Sequence, residues 1–157
     1  MIRTTIENVV DNLSKPCAFY YANLYEASGD LGMGTFSEGK DIFFVYIPPF
    51  EATDDYALNR LIHTKFPLQF FLMKKLELPT SDYRSEDVDP VIDEMRELAR
   101  EFIHSLQDEA VVEKGGPARG ITRTTITSEY AWQDIHLFGV SVQCEVPIMQ
   151  NKTGCVN

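Results

Sequence analysis

Three strand-like segments follow one another in the first half of this chain with no long helical stripe between them. They are CAFYYANLYEA at 17–27, IFFVYI at 42–47 and FPLQFFLMKKLEL at 66–78. No other feature constrains the fold as much. Consecutive parallel strands need a crossover, usually a helix. Its absence here argues against a doubly wound sheet and predicts an α+β fold. The expected architecture is a mostly antiparallel or mixed sheet, with an N-terminal helix and one long helix packed on one face.

The two helices are read from their apolar spacing. Ile2, Ile6, Val9 or Val10, and Leu13 make one stripe over residues 2–14. Pro16 ends it, because the residue before a proline avoids the α region. The long helix is PVIDEMRELAREFIHSLQDE, residues 90–109. Its stripe is Val91, Met95, Leu98, Ala99, Phe102 and Leu106. Asp89 is the expected cap and Pro90 the first helical residue. Asp93 and Glu94 then fall in the first turn, where the helix dipole favours acids.

The remaining strands are ITRTTITSEYAW at 121–132 and HLFGVSVQCEV at 136–146. The second alternates: Val140, Val142, Cys144 and Val146 share one side, and Ser141, Gln143 and Glu145 the other. It reads as a half-buried strand that closes the sheet. Gly139 reads as the point where the chain turns into it, and Pro147 as its stop. Residues 51–65, with Tyr56, Leu58, Leu61 and Ile62, fit either a short helix or an extended loop. The expected layout is one domain over residues 1–148 and a tail over 149–157, within the usual length of a single domain.

Composition bounds the function. Hydrophobic residues make up 44% of the chain, enough for a core, and no apolar run approaches the length of a membrane helix. The N-terminus lacks the apolar stretch of a signal peptide. Net charge is −10, with 14 basic residues against 24 acidic ones, which disfavours a surface that neutralises nucleic-acid phosphates. Acids concentrate between Glu86 and Glu109, which reads as a solvated helix face or as a surface toward a partner or a lumen. Cys17, Cys144 and Cys155 are odd in number and far apart, as free thiols in a reducing compartment would be.

Candidate chemistry is sparse. GTFSEGKD, Gly34 to Asp41, begins like a phosphate-binding loop but has Asp41 where Ser or Thr should hold magnesium. A strand pattern follows it, where a helix N-terminus is needed. His63, His104 and His136 are scattered, without metal-ligand spacing. His136 with Asp134 reads as a structural hydrogen bond. Asp54–Asp55 and Glu86–Asp87 are adjacent in sequence and do not converge as a catalytic pair must. Cys144 lies on the core side of its strand, where a reactive thiolate is disfavoured. The expectation is a chain without enzymatic activity, with no catalytic, cofactor-binding or metal residues and no cofactor. Aromatics crowd the first three strands on both faces, so something must cover the second face: the loops of the chain, or a neighbouring subunit.

The element order, together with the closing segment D-x-HLFGV-x-V-x-x-EVP at 134–147, resembles the bacteriophage tail-terminator or tail-completion family. The likeness spans residues 1–148 and rests on order, length and that strand. It implies a structural virion protein, assembled in the bacterial host cytoplasm. It implies a homo-oligomeric ring, a hexamer or larger, at the head–tail junction, between connector and tail proteins. DNA would pass through its lumen without specific binding, and no membrane is involved. The Gly-rich segment 28–40 is then a contact that orders on assembly, and the acidic helix a lining for the lumen. The alternatives are a tail-tube or baseplate component, and a cytoplasmic α+β binding module or small enzyme.

Overall fold

A computed structural model describes residues 2–21, 40–48, 53–57, 60–76, 85–113, 120–132 and 136–149. In chain order the elements are helix α1 (Ile2–Asp11), strands β1 (Cys17–Tyr21), β2 (Ile42–Ile47), β3 (Thr53–Ala57) and β4 (Arg60–Lys75), helix α2 (Ser85–Asp108), and strands β5 (Thr122–Trp132) and β6 (Leu137–Met149). The fold is α+β. The sheet is mixed, in the order β1-β2-β4-β6-β5, with β3 paired to β4 off that path. Only β1 with β2 is parallel among these pairs; the others are antiparallel.

Alternation along the strands separates two faces. Phe44, Tyr46, Leu68, Phe70, Leu72, Phe138, Val140, Val142, Cys144 and Val146 turn toward the helices. There they meet Ile6, Val9 and Val10 of α1 and Met95, Ala99, Phe102 and Leu106 of α2. An aromatic trio ties the two layers: the Phe44 and Phe70 rings stack at 4.7 Å, and Phe102 of α2 lies 4.7 and 4.8 Å from them. Such pairs add to the burial of their area. The other face carries a smaller apolar cluster of Phe43, Val45, Phe71, Met73 and Leu137, flanked by Ala18, Tyr20 and Ile47. These five are buried within a single copy of the chain.

Several elements depart from the sequence reading. β3 is neither helix nor loop: Ala57 pairs with Arg60 and Thr53 with Lys65, so β4 begins at Arg60 and is 16 residues long. The spacing of Tyr56, Leu58, Leu61 and Ile62 gives no continuous helical stripe, and the free edge of β4 supplies a ladder instead. α2 begins at Ser85, upstream of Pro90. Val88 is buried and extends the apolar stripe by a turn. A proline this near the N-terminus removes one hydrogen bond, to a carbonyl in the exposed first turn. Glu86 and Asp87 therefore hold the acidic first-turn places, in place of Asp93 and Glu94. α1 stops at Asp11, and its last turn tightens through Asn12 N–H to Val9 O and Leu13 N–H to Val10 O, both 3.2 Å.

β6 does not close the sheet at an edge. It lies between β4 and β5 and pairs with β4 from Leu137 to Met149. Gly139 sits within this ladder, opposite Met73, and is no turn. The turn is at His136, whose φ is 59°. Pro147 is no stop either, since β6 continues to Met149. Its carbonyl accepts Glu113 N–H at 2.8 Å, on the side away from β4. The N and O of one residue point to the same side of a strand, so the missing N–H costs β4 nothing.

Candidate functional surface

Three features of the described surface could carry function. The first is a shallow groove of about 500 Å³ on the sheet face opposite α1 and α2. Along one edge of β4, pairing with β3 reaches Lys65 and pairing with β2 starts at Gln69. Between them Pro67 stands where that edge has no ladder partner among the described residues. Ile47, Pro48, Gln69, Thr125, Gln143 and Glu145 complete the wall. Arg123 closes one end, with its guanidinium 2.8 Å from Glu145. Its backbone is left-handed, φ 52°, in a register shift of β5. That bulge turns the side chain onto the open face.

The second is a polar cleft between the end of α1 and the middle of α2, where carboxylates act as staples. Glu101 accepts both Ser14 N–H at 2.7 Å and Ser14 Oγ–H at 2.6 Å. Glu94 receives Lys15 from the connector after α1 and Lys74 from β4, the latter at 3.0 Å. Burial alone would raise the Glu94 carboxyl; hydrogen bonds from Lys15 and Lys74 outweigh it and hold the group below its ordinary value. Every carboxylate here is matched to a donor, which is the arrangement of a structural tie. The third is the outer face of α2, where Glu86, Asp87, Asp89, Asp93 and Glu97 are exposed. Asp93 and Glu97 are paired along the helix with Arg96 and Arg100.

The residues singled out in the sequence do not converge. Burial pushes the Cys17 and Cys144 thiols from 9.0 up to about 12, so neither is a thiolate near neutral pH. Lys40 donates to the Cys17 carbonyl at 3.1 Å, and the chain enters strand β2 two residues later. The strand after this lysine is the departure from a phosphate loop that the sequence anticipated. His104 is exposed on α2 and His136 is half-buried at the start of β6. Among the described residues no group of His, Cys, Asp and Glu is placed to hold a metal, and no helix is long and apolar enough to cross a membrane. The segment 28–39, Asp134, Cys155 and the side chains of His63, Asp54 and Asp55 lie outside the described residues.

Arg123, Glu101 and Lys74 are the contributors that sequence reading missed. Each acts across the fold, and none carries a local signal. Comparison with known proteins gives no match: no family model, no curated protein and no solved structure is significantly similar to the chain.

Proposed function

We propose that this chain is a structural subunit of a bacteriophage particle that assembles as a ring at the head–tail junction, as a tail-terminator or tail-completion protein. One observation carries the reading. A leading helix, successive strands, one long acidic helix and a closing antiparallel pair follow each other in the order of the family that the sequence resembles. The segment LFGVSVQCEVP runs through the middle of the sheet. The exposed acids of α2 fit a channel wall that repels the phosphates of passing DNA, an effect that reaches about 10 Å at moderate salt.

The reading predicts that mass spectrometry finds the chain in purified particles of the phage that encodes it. Immunogold labelling should place it at the neck. Particles that lack the chain overturn the proposal. Label along the tail shaft or at the baseplate moves the chain to a tail-tube or baseplate role.

A further inference from the structure

Among the described residues, β5 is the last strand at its edge of the sheet. It pairs with β6 on one side, and no described residue pairs with its other side. Natural sheets guard such edges with short strands, charges, prolines and bulges; β5 has charges and register shifts toward its ends but a regular stretch between them. β5 is 11 residues long and contains neither Lys nor Pro. Its pairing with β6 is regular from Thr125 to Glu129, between two register shifts. Thr122, Arg123, Thr124, Thr125 and Thr127 are exposed along it. The opposite edge of the sheet differs. β1 has five residues, and Arg3 of α1 sits 4.3 Å over the ring of its last residue, Tyr21.

We propose that β5 pairs antiparallel with β5 of a second copy of this chain, about a twofold axis through Ile126. Residues paired in an antiparallel ladder share a face, so the axis must pass through a residue and not between two. At Ile126 it sets Thr125 opposite Thr127 of the second copy, a favourable cross-strand pair, and Thr124 opposite Ser128. It also sets Arg123 opposite Glu129, twice by symmetry. Both charges lie on the open face, where Arg123 bonds Glu145 and Glu129 accepts Ser141 Oγ–H at 2.7 Å. An axis at Thr125, Thr127 or Ser128 brings neither charge to its opposite. On the helix side, Ile126 packs against the core and would meet its own copy there, extending the apolar layer.

The helices leave room for this. α2 packs mainly on β6. Across a continued sheet the two copies of α2 stand three strand spacings apart, roughly 14 Å. Packed helices approach to about 8–10 Å, so the pair does not clash. The contact is isologous and closes on itself. It concerns the purified chain in solution and does not depend on a place in a phage particle.

The test is the molecular mass of the full chain by sedimentation equilibrium, with circular dichroism as the check on folding. The expected mass is twice the 17.9 kDa of one chain. Arg123→Glu and Glu129→Arg each set like charges opposite one another at both ends of the ladder. Each should weaken association at least about tenfold. The double variant Arg123→Glu/Glu129→Arg restores opposite charges across the axis and should restore the dimer. If Arg123→Glu unfolds, Thr125→Lys/Thr127→Lys places Lys opposite Lys at the centre without touching an ion pair, and should give monomers. A wild-type chain that stays monomeric at every concentration overturns the proposal. So does an oligomer that neither the charge variants nor the double lysine variant weakens.

Discussion

At the residue scale, Gly139 has no room for a side chain. A Cβ there would lie 1.9 Å from the carbonyl oxygen of Leu72 and 2.9 Å from the Met73 Cα, both backbone atoms of the neighbouring strand. A flexible side chain could move aside; a backbone held in a central ladder cannot. Gly139→Ala should therefore cost at least about 3 kcal/mol, the upper end of overpacking effects. Urea unfolding would measure it, and a loss under about 1 kcal/mol would mean that the two strands separate easily. The sequence marked this glycine but could not show why it matters. A glycine in a strand signals a turn, a bulge or a close approach, and only the neighbour's position tells which.

Among the elements, α2 is held twice over. Its apolar stripe buries Val88, Val91, Ile92, Met95, Leu98, Ala99, Phe102 and Leu106, and this face was legible because 3.6-residue spacing writes it directly. Its second tie, Glu94 to Lys15 and Lys74, joins residues 79 and 20 positions apart, and no local pattern announces such a pair. The Glu94 carboxyl is held below its ordinary 4.5 in the folded chain. A depressed carboxyl stabilises the fold above its unfolded value, and that contribution fades as pH falls through the folded one. Glu94→Gln should cost about 1 kcal/mol at neutral pH, after allowance for partial exposure. Its melting temperature should also fall less steeply than that of the native chain as pH drops below about 4.5. Parallel acid limbs in the two proteins would contradict the pairing.

Over the whole molecule, three weak acids are sealed in the core layer: Cys17, Cys144 and Tyr46. Burial raises the thiols from 9.0 to about 12. Burial, and then the neighbouring Tyr21, raises the Tyr46 hydroxyl from 10.0 to about 12. An acid whose folded value is raised favours the fold below its unfolded value. That advantage declines as pH climbs toward the folded value, because unfolding releases the proton. Thermal stability should thus drop between about pH 9 and 12, with more than one proton released per molecule unfolded. Cys144→Ala should make that decline shallower while lowering stability at neutral pH by about 1 kcal/mol, through lost packing. An alkaline slope unchanged by the substitution would show that the thiol is not sealed.

The sequence by itself determined the class of fold, the two helices with their inward faces, and the alternation that turns Val140, Val142, Cys144 and Val146 into the core. These follow from periodicity, which is a local property of the chain. It did not determine that β6 is central, that β1 joins the sheet parallel to β2, or that residues 53–57 form a strand. Each of these depends on which backbone edges remain free once the rest of the sheet has formed. Nor did it determine the place of Arg123 beside Glu145 or of Glu101 beside Ser14. Hydrogen bonds and ion pairs between distant segments depend on distances that arise only after the layers pack. Tertiary structure made those decisions, because burial and pairing are set by neighbours in space and not by neighbours along the chain.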